Sequence, residues 1–274
     1  MKETMGIMGF GRFGRMAAAY LKDHFDLMVY DREACDGAAK RLGVRTGPLG
    51  DVARCSVVVL CVPISQIQSV LEEIAPHLVE RALVLDTCSV KEYPVSMMRA
   101  ILPDTVEILG THPLFGPDSA ARGLEGKKIV LCPVRLENLR RVELFLRRLK
   151  LRVLVCSPEA HDRTMASTQA IVQFLGRAFL EIGLTHEPMA TPGYDQLIKI
   201  LEVVQHDTWE LFHDLQNFNR FACEMRLKLI ESLTQMDQRL GQEHPCSVER
   251  DLEGKRHESR VSRRTRRLQR DGLL

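Results

Sequence analysis

The sequence predicts an α/β protein: a doubly wound sheet over residues 1–156, followed by an all-α region over 157–241. Three observations predict it. Short β-branched runs alternate with helical patterns as far as about residue 155. A glycine-rich turn follows the first of those runs. From Ser157 the strand signal stops and apolar residues recur at helical spacing. Strands separated by helices are the pattern of a sheet with helices on both faces.

The strand candidates are Met5–Gly9, Leu27–Asp31, Ser56–Val62, Ala82–Asp86, Val106–Gly110, Lys128–Cys132 and Arg152–Val155. Several are apolar throughout, as expected for strands buried on both faces of a parallel sheet. Between them lie helical patterns such as Leu136, Leu139, Val142, Phe145, Leu146 and Leu149. Beyond the sheet region, 159–184 reads as one long helix carrying Ala166, Ala170, Phe174, Ala178 and Ile182. Further helices are expected over 194–240, one of them opened by Asp207 and Glu210 as a capping box. Leu211, Phe212, Leu215, Phe218 and Phe221 place apolar residues on more than one helix face. So small a helical domain cannot bury them alone, which predicts a dimer interface. Residues 242–274 hold nine Lys/Arg and six Asp/Glu and almost nothing apolar. They read as a polar, basic, disordered tail, with RNA or an acidic partner as the competing reading.

Composition excludes several classes. Of 274 residues, 45% are apolar and 27% charged, with a formal charge of +2. Nothing in that balance calls for nucleic acid. No apolar run approaches the length of a membrane span, and MKETMGIMGF lacks the apolar core of a signal peptide. Eight cysteines occur with no CxxC pair and no zinc spacing. The expectation is a cytoplasmic protein with free thiols and no metal.

Gly9-Phe10-Gly11-Arg12-Phe13-Gly14 follows a predicted strand and opens a predicted helix. Gly9 permits the tight turn, Gly11 lets the backbone approach a pyrophosphate, and Gly14 lets helix and strand pack closely. The helix N-terminus offers free N–H groups to the phosphates. Asp31 lies 22 residues after Gly9, where a carboxylate accepts the adenosine ribose hydroxyls. The N-terminal domain is thus predicted to be of Rossmann type. Asp31 favours NAD, since a 2′-phosphate would face its carboxylate; Arg32 beside it keeps NADP as the alternative. Val62-Pro63 would wall the nicotinamide pocket, although Pro63 also simply ends a strand.

Two segments carry the chemistry. Asp86-Thr87-Cys88-Ser89-Val90-Lys91 follows one buried strand, and Gly110-Thr111-His112-Pro113-Leu114-Phe115-Gly116-Pro117-Asp118-Ser119 follows the next. Both reach the carboxyl edge of the sheet, where open α/β sheets bind ligands. His112 is the candidate base for a hydride-transfer reaction, because a neutral imidazole takes a hydroxyl proton near neutral pH. Ser89 either bonds the other ring nitrogen or closes a local turn. Cys88 reads as a packing residue and Lys91 as a solvated surface lysine rather than a substrate contact. Gln169 and Gln173 share a helix face. Their amides either reach a ligand in the interdomain cleft or bond neighbouring helices.

GFGRFG, DTCSVK, GTHPLFGPDSA and PEAHDRTMASTQAIVQFLGR recur in this order in prephenate and arogenate dehydrogenases, and the chain resembles that family over about residues 4–240. The stretch Pro192-Gly193-Tyr194 through Asp207-Thr208-Trp209-Glu210-Leu211 looks most like the plant-type arogenate branch. The resemblance implies a Rossmann domain with an all-α dimerisation domain. It also implies NAD(P)-dependent oxidation of a ring C4 hydroxyl coupled to loss of the ring carboxylate, in tyrosine synthesis. By this resemblance His112 is the base and Ser89 its hydrogen-bond partner. Gly9, Gly11, Gly14 and Asp31 contact the dinucleotide, and Gln169 lines the substrate pocket.

The chain departs from the pattern twice. Gln173 stands where many members have a second histidine. Asp195 stands where many prephenate-type enzymes have an arginine that anchors a substrate carboxylate. Lys199, Arg163 or Arg177 would then have to supply the cation. A carboxylate in the pocket favours the ammonium of arogenate over the keto acid of prephenate, so Asp195 predicts arogenate or dual activity. Two other readings stand beside this one: a β-hydroxyacid-type dehydrogenase of the same plan, and a non-catalytic NAD-binding protein.

Overall fold

A computed structural model of the chain describes residues 2–243. β1 (Thr4–Met8) leads through the glycine turn into α1 (Arg12–Leu21), followed by β2 (Asp26–Tyr30), α2 (Asp36–Leu42), β3 (Arg45–Thr46) and α3 (Leu49–Ala53). Then come β4 (Val57–Leu60), α4 (Ile67–Ile74), β5 (Leu83–Asp86), α5 (Glu92–Ile101), β6 (Glu107–Pro113), α6 (Pro117–Ala120), β7 (Lys128–Arg135), α7 (Leu139–Arg148) and β8 (Arg152–Val155). The helical part holds α8 (Pro158–Met165), a π-helical turn (Ala166–Ala170), α9 (Ile171–Glu181), α10 (Pro192–His206), α11 (Trp209–Phe218) and α12 (Ala222–Glu243).

The eight strands form one sheet in the order β3-β2-β1-β4-β5-β6-β7-β8. Alternation along each strand divides its side chains between two cores. On β4, Val58 and Leu60 pack with Ile67, Leu71 and Ile74 of α4 and Met98 of α5. Val57 and Val59 face the other way, with Ala18 of α1 and Ala39 of α2. A third cluster joins Leu109, Ile129, Leu131 and Leu151 to α7. A cavity of about 880 Å³ runs between α1 and α7 over the sheet face that carries Val59, Leu83 and Leu85.

The sheet is not parallel throughout: β6 and β7 run antiparallel. This has a direct consequence for His112. β6 pairs with β5 only as far as Gly110, opposite Asp86. Thr111, His112 and Pro113 continue beyond that edge, paired with Leu131, Val130 and Ile129 of β7. His112 therefore sits on an overhanging strand, not in the loop that its glycine and proline neighbours suggested. β3 escapes sequence reading because two residues show no periodicity.

Contacts divide the chain into Met1–Arg226 and a remainder that begins at Leu227. Within the first unit, helices α8, α10 and α11 start at side-chain caps, whereas α9 continues directly from the π-helical turn. Ser157, Thr191 and Thr208 accept from Ala160 N, Tyr194 N and Leu211 N. The cap of α11 is therefore Thr208; the expected Asp207–Glu210 box does not form, and Asp207 instead ends α10. The long helix expected over 159–184 runs from Pro158 to Glu181, with the π turn inside it. Gln216 Nε2 donates to Ala170 O at 2.8 Å and so satisfies a carbonyl within that turn. Along the described part of α12, Leu227, Ile230, Leu233, Met236 and Leu240 are all exposed. The basic tail expected over 242–274 lies almost wholly outside the described residues. No helix among the described residues is long and apolar enough to cross a membrane.

Candidate active site

The glycine turn has the geometry its spacing predicts. Gly9 has φ +94°, and a Cβ there would lie 2.4 Å from Cys61 O. A Cβ on Gly14 would lie 2.0 Å from Gly9 O, so only glycine lets α1 pack this close to the turn. Gly11 caps α1, and a Cβ there would project into open space, the cradle a pyrophosphate requires. Asp31 follows β2 directly. Its carboxylate accepts Phe10 N at 2.5 Å and Glu33 N at 2.9 Å, which fixes it beside the turn. The Phe10 side chain is buried in the core, so only its backbone faces this site. Arg32 is drawn away to Glu73 at 2.6 Å. Arg12 donates twice to Asp118, at 2.7 and 2.9 Å, and to His206 O at 3.1 Å. Phe13 lines the cavity between α1 and α7. Val62 packs against the core on the α4 side, and Pro63 precedes a short 3₁₀ turn. Of these residues, the glycine turn and Asp31 fit a bound dinucleotide.

His112 is 5% exposed and His161, on α8, is 2% exposed. His112 Nδ1 lies 2.8 Å from His161 Nε2. His161 Nδ1 lies 2.7 Å from Asp162 Oδ1. Asp162 is wholly buried and also accepts Lys91 N at 2.7 Å and Glu92 N at 2.8 Å, the amides that open α5. Burial, then His161, then Lys91 hold the His112 imidazole well below the usual histidine value. Its ring is therefore neutral at neutral pH, as a base must be.

Three assignments change. Lys91 is not a surface lysine: it is completely buried, and its Nζ pairs with Asp86 Oδ1 and donates to Thr111 O. Ser89 does not take the second ring nitrogen of His112, because His161 does. Its Oγ is buried and makes no hydrogen bond among the described residues. Asp195 is exposed in the first turn of α10. Asp207 stands at the other end of that helix, about 18 Å away at the helical rise.

Asp207 and its neighbours are what α9 meets. Gln173 is buried, and its Nε2 donates to Asp207 Oδ2. Arg177, one turn further on, donates to Asp207 O and stacks 4.6 Å over Trp209. Burial raises the Asp207 carboxyl above its ordinary value, against the lowering effect of Gln173 and Arg177. Gln169 Oε1, Gln173 Oε1 and Arg177 Nε are buried with no partner among the described residues. Three unmade hydrogen bonds on one helix are costly unless ordered water or a ligand completes them. Of the cations offered by the sequence, Arg177 fits this place; Arg163 is exposed beside Glu159, and Lys199 is exposed. Cys88 is a buried packing residue whose thiol burial pushes up. The seven described cysteines are free. No cluster of three or more His, Cys, Asp or Glu among the described residues could hold a metal.

The sequence reading missed His161, Asp162 and Asp86. All three stand in the quoted motifs, but only their burial marks them.

The family model described as prephenate dehydrogenase, nucleotide-binding domain, matches residues 17–155, half of the chain. The chain belongs to the prephenate dehydrogenase family. A second model, TYRAAT1-like C-terminal domain, matches residues 178–258. Among curated relatives, arogenate dehydrogenase 2, chloroplastic, of Arabidopsis thaliana is 32% identical over 238 residues, covering 82% of this chain and 66% of the relative. A probable arogenate/prephenate dehydrogenase of Methanocaldococcus jannaschii is 30% identical, covering 78% of this chain and 51% of the relative. The chain thus spans less than two thirds of either relative. A solved prephenate dehydrogenase from A. aeolicus, in complex with hydroxyphenyl propionate and NAD+, superposes with a TM-score of 0.70 at 20% identity, over 97% of this chain and 98% of that one. That likeness is one of fold: a Rossmann-type sheet followed by a helical part.

The buried Lys91–Asp86 pair yields a stability prediction. Lys91→Met leaves an uncompensated buried carboxylate and should cost about 3–5 kcal/mol in urea unfolding. The double variant Asp86→Leu/Lys91→Met should recover much of that loss. Equal stability of wild type and Lys91→Met would show that the pair is not buried as described.

Proposed function

We propose that this protein is an NAD-dependent dehydrogenase that oxidises and decarboxylates arogenate, prephenate or both in tyrosine synthesis. The observation that carries the reading is His112: a buried, neutral imidazole on a strand overhanging the sheet edge. Its Nδ1 is occupied and its Nε2 makes no hydrogen bond to the described residues. Bound NAD supplies the acceptor for the hydride from ring C4. His112 Nε2 takes the C4 hydroxyl proton, and departure of the ring carboxylate as CO2 makes the product aromatic. Ser89 Oγ, buried and without a hydrogen bond among the described residues, would bond the same hydroxyl. The glycine turn holds the pyrophosphate and Asp31 the adenosine ribose. The Asp31 carboxylate would face a 2′-phosphate, and Arg32 is turned toward Glu73, which favours NAD over NADP.

The specificity argument first attached to Asp195 passes to Asp207. Gln173 Oε1, Gln169 Oε1 and the Asp207 carboxylate are acceptors, which suits the ammonium of arogenate. Arg177 Nε is a donor, which suits its carboxylate. Prephenate lacks the ammonium and leaves those acceptors unmatched.

The homodimer is proposed through the helical part. Five exposed apolar side chains on α12, spaced three or four residues apart, support it.

NADH formation at 340 nm with arogenate or prephenate, and with NAD or NADP, tests the activity. His112→Asn should lower kcat about 10²-fold or more while NAD still binds. No turnover by a wild-type chain that binds NAD would move the reading to a non-catalytic dinucleotide-binding protein. The acid limb of the pH profile should lie below the ordinary histidine value of about 6.5, because the base stays neutral until its lowered pKa is reached. Asp207→Asn should reduce kcat/KM for arogenate about tenfold and leave that for prephenate unreduced. Equal losses on both substrates would remove Asp207 from specificity. In sedimentation, the full chain should run as a dimer and Leu233→Glu/Leu240→Glu should shift it toward monomer; a monomeric wild type would end the dimer proposal.

A further inference from the structure

Two of the three groups against the Asp162 carboxylate can only donate. The backbone N–H groups of Lys91 and Glu92 reach Oδ1 and Oδ2 at 2.7 and 2.8 Å. A carboxylate has no proton to return, so the third group against it, His161 Nδ1 at 2.7 Å, must carry the hydrogen. A neutral imidazole protonated on Nδ1 has its lone pair on Nε2. That nitrogen lies 2.8 Å from His112 Nδ1, so the hydrogen between the two rings belongs to His112. The lone pair of His112 is then on Nε2.

Resting on the reading of His112 as the base, we propose that His161 and Asp162 are positioning residues that lock His112 in the tautomer whose Nε2 can accept the substrate proton. The direction of the chain is set at peptide N–H groups, which cannot reverse. No electron moves within it: the proton leaves the substrate hydroxyl for His112 Nε2, and the resulting imidazolium faces His161 and, through it, Asp162. The Lys91 cation, paired with Asp86, also bears on His112. Asn219 Nδ2 donates to Asp162 O at 2.8 Å and steadies the backbone that carries both positioning residues.

The lock is read on the full chain with NAD bound and histidines labelled with ¹⁵N. Two-bond ¹H–¹⁵N spectra at neutral pH report the tautomer, with His112→Asn identifying the His112 signals. Protonated Nδ1 and bare Nε2 on both His112 and His161 are expected; an Nε2-protonated His112 would overturn the proposal. Variants at 161 supply the kinetic readout. Glutamine can still accept from His112 and donate to Asp162, whereas leucine can do neither. His161→Gln should keep kcat within about tenfold, and His161→Leu should lose about 10²-fold with KM little changed. Equal kcat and an unchanged His112 tautomer in His161→Leu would also overturn it. Should His161→Leu not fold, the wild-type spectrum and His161→Gln still decide. The spectrum needs no turnover, so failure of the lock and failure of the proposed activity are read separately.

Discussion

The Asp162 carboxylate is the contact on which the rest of the site depends. It reaches from α8 to the two amides that open α5, a cap that α5 does not supply from its own sequence. Unpaired N–H groups at a buried helix start are costly, and a carboxylate there also meets the favourable end of the helix dipole. One interaction therefore docks the first helix of the helical part onto the sheet edge and sets His161 against His112. His112 meets His161 only when the two regions are joined at that point.

Around it, electrostatics are arranged in pairs rather than single charges. Lys91 is buried with Asp86 and bonded to Thr111 O, so its cation bears on His112 without being free. Together with burial it opposes protonation of the imidazole. Arg12, in the glycine turn, is tied to Asp118 and to the end of α10. That tie joins the glycine turn to the neighbourhood of Asp207, where Gln169 Oε1, Gln173 Oε1 and Arg177 Nε make no hydrogen bond among the described residues.

Strand β7 gives His112 its rigidity. Had β6 stopped with β5, the histidine would lie in a loop bounded by glycine and proline. Antiparallel pairing to Val130 carries it past the sheet edge on a hydrogen-bonded strand. A side chain held this way keeps its position without depending on loop order.

The sequence by itself determined what depends on neighbouring residues. Gly9, Gly11, Gly14 and Asp31 were legible because the turn and the carboxylate follow from strand, glycine spacing and helix in continuous order. His112 was legible because a histidine after a buried strand reaches the carboxyl edge. Tertiary structure decided what depends on partners far along the chain. Lys91 read as solvated because no pattern reveals that Asp86 and Thr111 enclose it. His161 and Asp162 read as ordinary helix residues because their roles exist only across 49 and 71 residues of separation. Asp195 and Asp207 exchanged places for the same reason: spacing locates a residue on a helix, but only packing decides which end of that helix meets the site.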